Sequence, residues 1–494
     1  MSMNSTAARA SSNRPLRFII IGAGPAGILA AIRLTQAGFQ DVVIYEKAHR
    51  LGGTWRDNTY PGVACDVPAH LYCYSFEPNP EWSRRFAPGV EILAYLDDVA
   101  HRYGVARRIR YAEEVTHCEY LDGRWRIETK SGAWDTADVV IAATGVTHHP
   151  RLPKIPGLDV FAGPAFHSAR WDHSISLDDR RIGVIGTGST AVQIVAALSE
   201  RVAQLSLFQR TAQWIMPQEN PVYSAEERAL FRRAPDKMHS MRAEFARAFV
   251  EGFSDAVVDA DSPQLKIIED VCLAHLESHV VDPALREKLR PPYRAACKRL
   301  VISNDFYPAM QRPNVQLVTE AIESIERNGV RTRDGRLHEI DVLVFATGFH
   351  TDRFVRPMEV VGREGVRLSA RWAQRPLAYL SVAVPDFPNF FLLNGPNGPV
   401  GNYSLIDVAE TQMAYVLQLI DLLCSGRCRE ISPTEHATTS LESERAAATA
   451  KTVWTTGCRS WYLDDRGVPA SWPWSMQRFR DVMQTPTLEA FELA

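Results

Sequence analysis

A chain of 494 residues exceeds what one hydrophobic core usually organises, so two or three domains are expected. With 46% hydrophobic and 23% charged residues and a formal net charge of -3, its composition is that of an ordinary globular protein and carries no electrostatic footprint for nucleic acid. The longest apolar runs, such as Phe18 to Ile21 and Val139 to Ala143, are far too short to span a bilayer, so no transmembrane segment is predicted.

Residues 1–15, rich in Ser, Ala and Asn and without an apolar stretch ahead of a cleavage site, read as a loose tail rather than a signal peptide, and a cytoplasmic location is expected. Arg17 to Ile21 is a β-rich apolar run, Pro25 to Ala37 reads as a helix with Gly38 as its stop, and Asp41 to Glu46 returns as a strand. That is one βαβ unit, because consecutive parallel strands need a crossover helix. Its turn, Gly22-Ala23-Gly24-Pro25-Ala26-Gly27, sets Gly22, Gly24 and Gly27 where backbone N–H groups and a helix N-terminus hold a pyrophosphate. A tight turn without ligand is the alternative. Against it, Glu46 stands at the end of the second strand, where a carboxylate accepts hydrogen bonds from ribose hydroxyls.

Residues 148–165 contain Pro150, Pro153, Pro156 and Pro164 and suit an extended connector. A second unit follows: strand Arg181 to Ile185, loop Gly186-Thr187-Gly188-Ser189-Thr190-Ala191, a helix to about Ser199, and a strand from Leu205 to Arg210. Where the first unit has Glu46, this one has Arg210, followed by Thr211; a guanidinium favours a 2′-phosphate, so NADP rather than NAD is predicted, against the blander reading of a solvent-facing arginine. Residues 218–296 read as a charged helical excursion in which Ser224 and Glu227 have the capping-box pattern.

Asp138 to Gly145 (DVVIAATG) and Asp341 to Gly348 (DVLVFATG) form an internal repeat, each an apolar strand ending in Ala-Thr-Gly at the edge where open α/β sheets bind ligands. The fold class expected is α/β, with two Rossmann-like dinucleotide-binding domains, one inserted into the other. The first domain takes residues 16–150 and 331–430, the second 151–217 and 297–330, with the helical excursion at 218–296. Residues 431–494, which carry Trp454, Trp461, Trp472 and Trp474, are expected to be irregular. The eight cysteines are scattered. Cys424 and Cys428 read as unpaired thiols near a helix end, no metal site is expected, and the lack of an adjacent Cys pair after the nucleotide motifs argues against a disulfide reductase.

Dinucleotide binding does not explain two further segments. One is Gly52-Gly53-Thr54-Trp55 leading to Tyr60-Pro61-Gly62 and Asp66; the other is Phe161, Gly163, His167, Trp171 and Asp172 in the connector. Together they resemble the type I flavoprotein Baeyer-Villiger monooxygenases, from about residue 16 to 425 and more faintly through Gly457-Cys458-Arg459-Ser460-Trp461-Tyr462. The resemblance implies FAD on the first unit and NADPH on the second. With them come a ketone and dioxygen as substrates and an ester or lactone formed through a flavin peroxide.

Residue by residue, it implies that Gly53, Thr54, Trp55, Asp66 and Tyr72 lie at the flavin. Lys298 adds a contact to the 2′-phosphate, and Arg299, oriented by Asp66, stabilises the peroxide anion. A Lys-Arg pair by itself is usually a solvated corner, so these two roles rest on the resemblance. His167 is expected to be a hydrogen-bonded structural residue coupling the domains, not a general base. The alternatives are a monooxygenase acting on nitrogen or sulfur and, more remotely, a non-oxygenating NADPH-dependent reductase or redox sensor.

Overall fold

The computed structural model describes residues 15–401, 403–464 and 466–494; the expected N-terminal tail, apart from Pro15, lies outside them. Two five-stranded parallel sheets carry the two nucleotide units. In the first, the strands run in the order Phe390–Leu392, Val139–Ala142, Phe18–Ile21, Val42–Tyr45 and Ile109–Arg110. Phe18–Ile21 and Val139–Ala142 are buried throughout, which is why they read as unbroken apolar runs rather than alternating ones. Helix Pro25–Gln36 packs Ile28, Leu29 and Ile32 into the main core and ends before Gly38, whose φ of +96° is the left-handed stop its sequence position predicts.

The second sheet has the order Val315–Val318, Gln204–Phe208, Arg181–Ile185, Val342–Phe345 and Ala165–His167, covered by helix Ser189–Leu198. This corrects the expected boundary at 331, because Val342–Phe345 pairs with Arg181–Ile185 and belongs to the second unit. The repeat is each unit's own internal part. Asp138 accepts from the Arg17 amide at 2.7 Å and Asp341 from the Arg181 amide at 2.8 Å, fixing one end of each strand pair. At the other end, a Cβ on Gly22 would stand 2.6 Å from the Ala143 carbonyl oxygen and one on Gly186 2.2 Å from that of Ala346. Each Ala-Thr-Gly therefore closes against the first glycine of its own loop, and only glycine fits there. The chain returns to the first domain later, through Glu359–Val361, which pairs with Val115–Leu121, and Phe390–Leu392.

The excursion holds helices Ala225–Arg233, Pro235–Phe249, Pro263–His279 and Pro283–Leu289, and Ser224 and Glu227 form a complete capping box. The expectation of an irregular C-terminal segment is corrected by helices Glu435–Thr449 and Met476–Val482. Thr434 and Ser475 cap them by accepting from backbone amides, a signal that the surrounding tryptophans obscured. Cys424 and Cys428 are unpaired, whereas Cys297 and Cys458, 161 residues apart, form a disulfide that no spacing announced. Among the described residues no helix is long and apolar enough to cross a membrane.

Candidate functional site

The first glycine loop and the Gly52-Gly53 segment lie against each other: a Cβ on Gly53 would come within 3.1 Å of the Gly24 Cα, so both elements present backbone at one place. Glu46 is buried and accepts from the amides of Ala23 (2.8 Å) and Ala48 (2.9 Å) and from Arg56 Nη1 (2.9 Å). It therefore braces the glycine loop from beneath as well as ending its strand. Thr54 begins the short helix Thr54–Asp57 at the surface, its hydroxyl 3.1 Å from that of Thr147 just past the first Ala-Thr-Gly. Trp55 is buried in the main core, and its indole donates to the Tyr72 hydroxyl at 3.2 Å.

In the second unit, the open space around the Gly188 Cα leaves the loop accessible, and Thr187 Oγ1 donates to the Thr211 carbonyl at 2.9 Å. Ser189 and Thr190 open the helix Ser189–Leu198. Arg210 is exposed and close enough to Lys298 to repel it; burial first, and then Arg210, lowers the Lys298 pKa. Two cations close enough to feel each other are a donor set that a phosphate monoester fits.

The two units meet at several points. The Tyr60 hydroxyl donates to Gln193 Oε1 at 2.8 Å, Gln193 Nε2 donates to the Ala64 carbonyl at 3.0 Å, and a Cβ on Gly62 would strike the Gln193 carbonyl oxygen at 2.7 Å. The Tyr60-Pro61-Gly62 segment is therefore seated on helix Ser189–Leu198, a role its sequence did not disclose. In the connector, Phe161 packs on the second domain and a Cβ on Gly163 would stand 2.3 Å from the Asp341 carbonyl oxygen. Trp171 meets Phe166 edge to face at 5.1 Å, and Asp172 accepts from the amide and hydroxyl of Ser174. His167 is buried, accepts from the Ala169 amide at Nδ1 and so donates from Nε2 to the Gly348 carbonyl at 3.0 Å. Burial keeps its pKa below the usual imidazole value. With both nitrogens engaged it is a brace between connector and second Ala-Thr-Gly.

At this junction Arg299 and Asp66, 233 residues apart, form a bidentate pair: Nε donates to Oδ2 at 2.9 Å and Nη2 to both carboxylate oxygens at 2.7 Å. Arg299 Nη1 donates to the Gly401 carbonyl at 2.7 Å. Burial opposes the charge, but Asp66, with Tyr462 and Cys65, outweighs it and raises the Arg299 pKa. Tyr72 and Cys65 flank the pair, both held protonated by burial. The arrangement is a permanently charged guanidinium with a fixed direction, able to stabilise negative charge on a neighbouring oxygen. A surface cavity lined in part by Ala203, Lys288 and Asn314 includes none of these residues.

Comparison with known proteins agrees with this geometry. A family model described as pyridine nucleotide-disulphide oxidoreductase matches residues 19–251. The three cysteines in that stretch, Cys65, Cys73 and Cys118, are unpaired, so the match concerns nucleotide-binding architecture. The chain is 46% identical over 476 residues to an uncharacterized monooxygenase of Mycobacterium tuberculosis, covering 96% of this chain and 95% of the relative. It is 40% identical over 473 residues to a Baeyer-Villiger monooxygenase of Streptomyces coelicolor, covering 94% and 90%. The crystal structure of cyclohexanone monooxygenase from Rhodococcus sp. Phi1 bound to NADP+ superposes with a TM-score of 0.86 at 30% identity, over 97% of this chain and 99% of that one. Two parallel nucleotide units joined at an Asp66–Arg299 pair, in a chain matched end to end by these relatives, place the protein in the Baeyer-Villiger monooxygenase family of flavoproteins.

Proposed function

We propose that this protein is an FAD monooxygenase that uses NADPH and dioxygen to convert a ketone into an ester or lactone, the second oxygen atom and the reducing equivalents leaving as water and NADP+. The observation that carries the reading is the bidentate Asp66–Arg299 pair at the junction of the two nucleotide units. Cofactor fit is supported by the apposed backbones of Gly24 and Gly53, by the amide-bracing Glu46, and by the Arg210–Lys298 pair. FAD supplies the oxygen-activating redox chemistry and NADPH the hydride.

The chain's own residues supply binding, direction and charge. Gly22, Gly24 and Gly27 allow a pyrophosphate to approach the backbone, and Arg210 with Lys298 selects the 2′-phosphate. Arg299 stays cationic at any working pH, because Asp66 raises its pKa, and stabilises the negative charge that develops on oxygen as it adds to a carbonyl. Asp66 holds that cation in one orientation. Its partial burial strengthens the effect, since charge interactions weaken in open water.

A panel of cyclic, aryl and open-chain ketones tests the reading. NADPH consumption matched by ester or lactone from at least one class is the expected outcome. Oxidation of sulfides or amines with negligible ketone turnover, or hydrogen peroxide release with every ketone, would overturn it.

A further inference from the structure

The C-terminal segment contributes to the site in a way that the Asp66–Arg299 pair does not explain. Between Val453–Thr455 and Met476–Val482 the chain has no helix or strand among its described residues, and side-chain anchors add to the few backbone hydrogen bonds that hold it. At its far end buried Arg445 donates to the carbonyl of Ser471 (3.3 Å) and also to that of Pro469. At its near end the Cys297–Cys458 disulfide fastens it two residues before Arg299. Between these anchors lies Tyr462, buried in one cluster with Cys297, Leu300, Trp214 and Trp454, its ring 5.4 Å from that of Trp454 and 4.2 Å from that of Trp461.

The Tyr462 hydroxyl is pressed against the residue that Arg299 grips. A Cβ on Gly401 would lie 2.3 Å from it, at a φ of +95° that side chains rarely adopt, and the Gly401 carbonyl accepts from Arg299 Nη1 at 2.7 Å. The phenol also faces the Arg299 guanidinium closely enough for the two to interact electrostatically. A bidentate pair with Asp66 fixes one edge of a guanidinium and leaves rotation about that edge restrained only by what the other edge meets. Gly401 and Tyr462 are what it meets here.

We propose that Tyr462 is a positioning residue for Arg299, and that the Cys297–Cys458 disulfide is the clip that keeps the tyrosine-bearing segment closed on the site. The inference deepens the proposed monooxygenase reading and rests on it. Tyr462→Phe keeps the ring between its two tryptophans and removes only the hydroxyl, whereas Cys458→Ser removes the clip and keeps the hydroxyl.

The experiment uses FAD-loaded protein and two readouts. The first is hydrogen peroxide released per NADPH while a turned-over substrate, ketone or sulfide, is present. Both variants are expected to raise it by about threefold or more, as a less firmly oriented guanidinium implies, with FAD content unchanged and KM for NADPH within about twofold. The second is tryptic cleavage after Arg459 and Arg466, both exposed on either side of Tyr462. Cys458→Ser is expected to be cut about tenfold faster than wild type, as an unclipped segment opens locally, and Tyr462→Phe at the wild-type rate.

Unchanged peroxide release in Tyr462→Phe overturns the positioning role. Wild-type cleavage rates in Cys458→Ser overturn the clip. Neither readout needs a ketone, so a wild-type enzyme that oxygenates only sulfides or amines sinks the proposed substrate class while the role of Tyr462 is still decided.

Discussion

Arg210 and Lys298 are held near each other at a cost in repulsion that a bound 2′-phosphate would relieve. Arg210→Ala should therefore raise KM for NADPH by about tenfold or more and leave that for NADH nearly unchanged. Steady-state kinetics with the two nucleotides checks this, and a wild-type preference for NADH would contradict the assignment. His70 supplies a different single-residue test. Its ring is buried between Tyr223 and Phe231, 5.5 and 4.8 Å away, both nitrogens lack a partner, and burial lowers its pKa to about 4. Because the folded value lies below the unfolded one, the unfolded chain takes up the extra proton as pH falls through about 6.5, and stability drops until the folded pKa is reached. Relative to His70→Phe, the wild type should lose on the order of 2 kcal/mol between about pH 7.5 and about pH 5, read as a widening gap in melting temperature. A gap independent of pH would show that the imidazole already has a proton partner.

The glycine loops are the elements on which both nucleotide sites depend, and they should fail separately. Gly22→Ala and Gly186→Ala each set a Cβ against the carbonyl of their own Ala-Thr-Gly, at φ values of +105° and +123°. Each should cost about 1–3 kcal/mol in local strain. Gly22→Ala is expected to purify without flavin, and Gly186→Ala to keep flavin and lose affinity for NADPH; absorbance after gel filtration and NADPH kinetics separate the two. At this scale the sequence was most readable, because a glycine loop between an apolar strand and a helix is local. The DVLVFATG segment reads as a strand in the sequence but joins the second sheet rather than the first. Both sheets use the same buried apolar vocabulary, and which strand it joins is decided by Arg181 and Ile182, some 160 residues away. Distance explains the other gaps too. Asp66 and Arg299 came together in the reading only through family resemblance, and nothing in the spacing of Cys297 and Cys458 indicated that they pair.

Across the whole molecule, three separated stretches converge on one guanidinium: Asp66 from the segment after the first nucleotide unit, Gly401 from beyond the first sheet's edge strand, and Tyr462 from the C-terminal segment. The Tyr60–Gln193 and Gln193–Ala64 contacts join the two nucleotide domains around that point. Under the proposed function such a design would devote Arg299 to oxygen transfer and leave FAD retention to the glycine loop and Glu46. Arg299→Ala should therefore keep its FAD, consume NADPH and oxygen, and make at least about 100-fold less ester. The most direct measurement is mass spectrometry of the product formed by the wild type and by Arg299→Ala from a turned-over ketone under isotopically labelled dioxygen. One labelled oxygen atom in the wild-type ester, with labelled hydrogen peroxide in its place for the variant, is the expected result. Unlabelled ester from the wild type, or labelled ester at wild-type rates from Arg299→Ala, would contradict the assignment of oxygen transfer to this site.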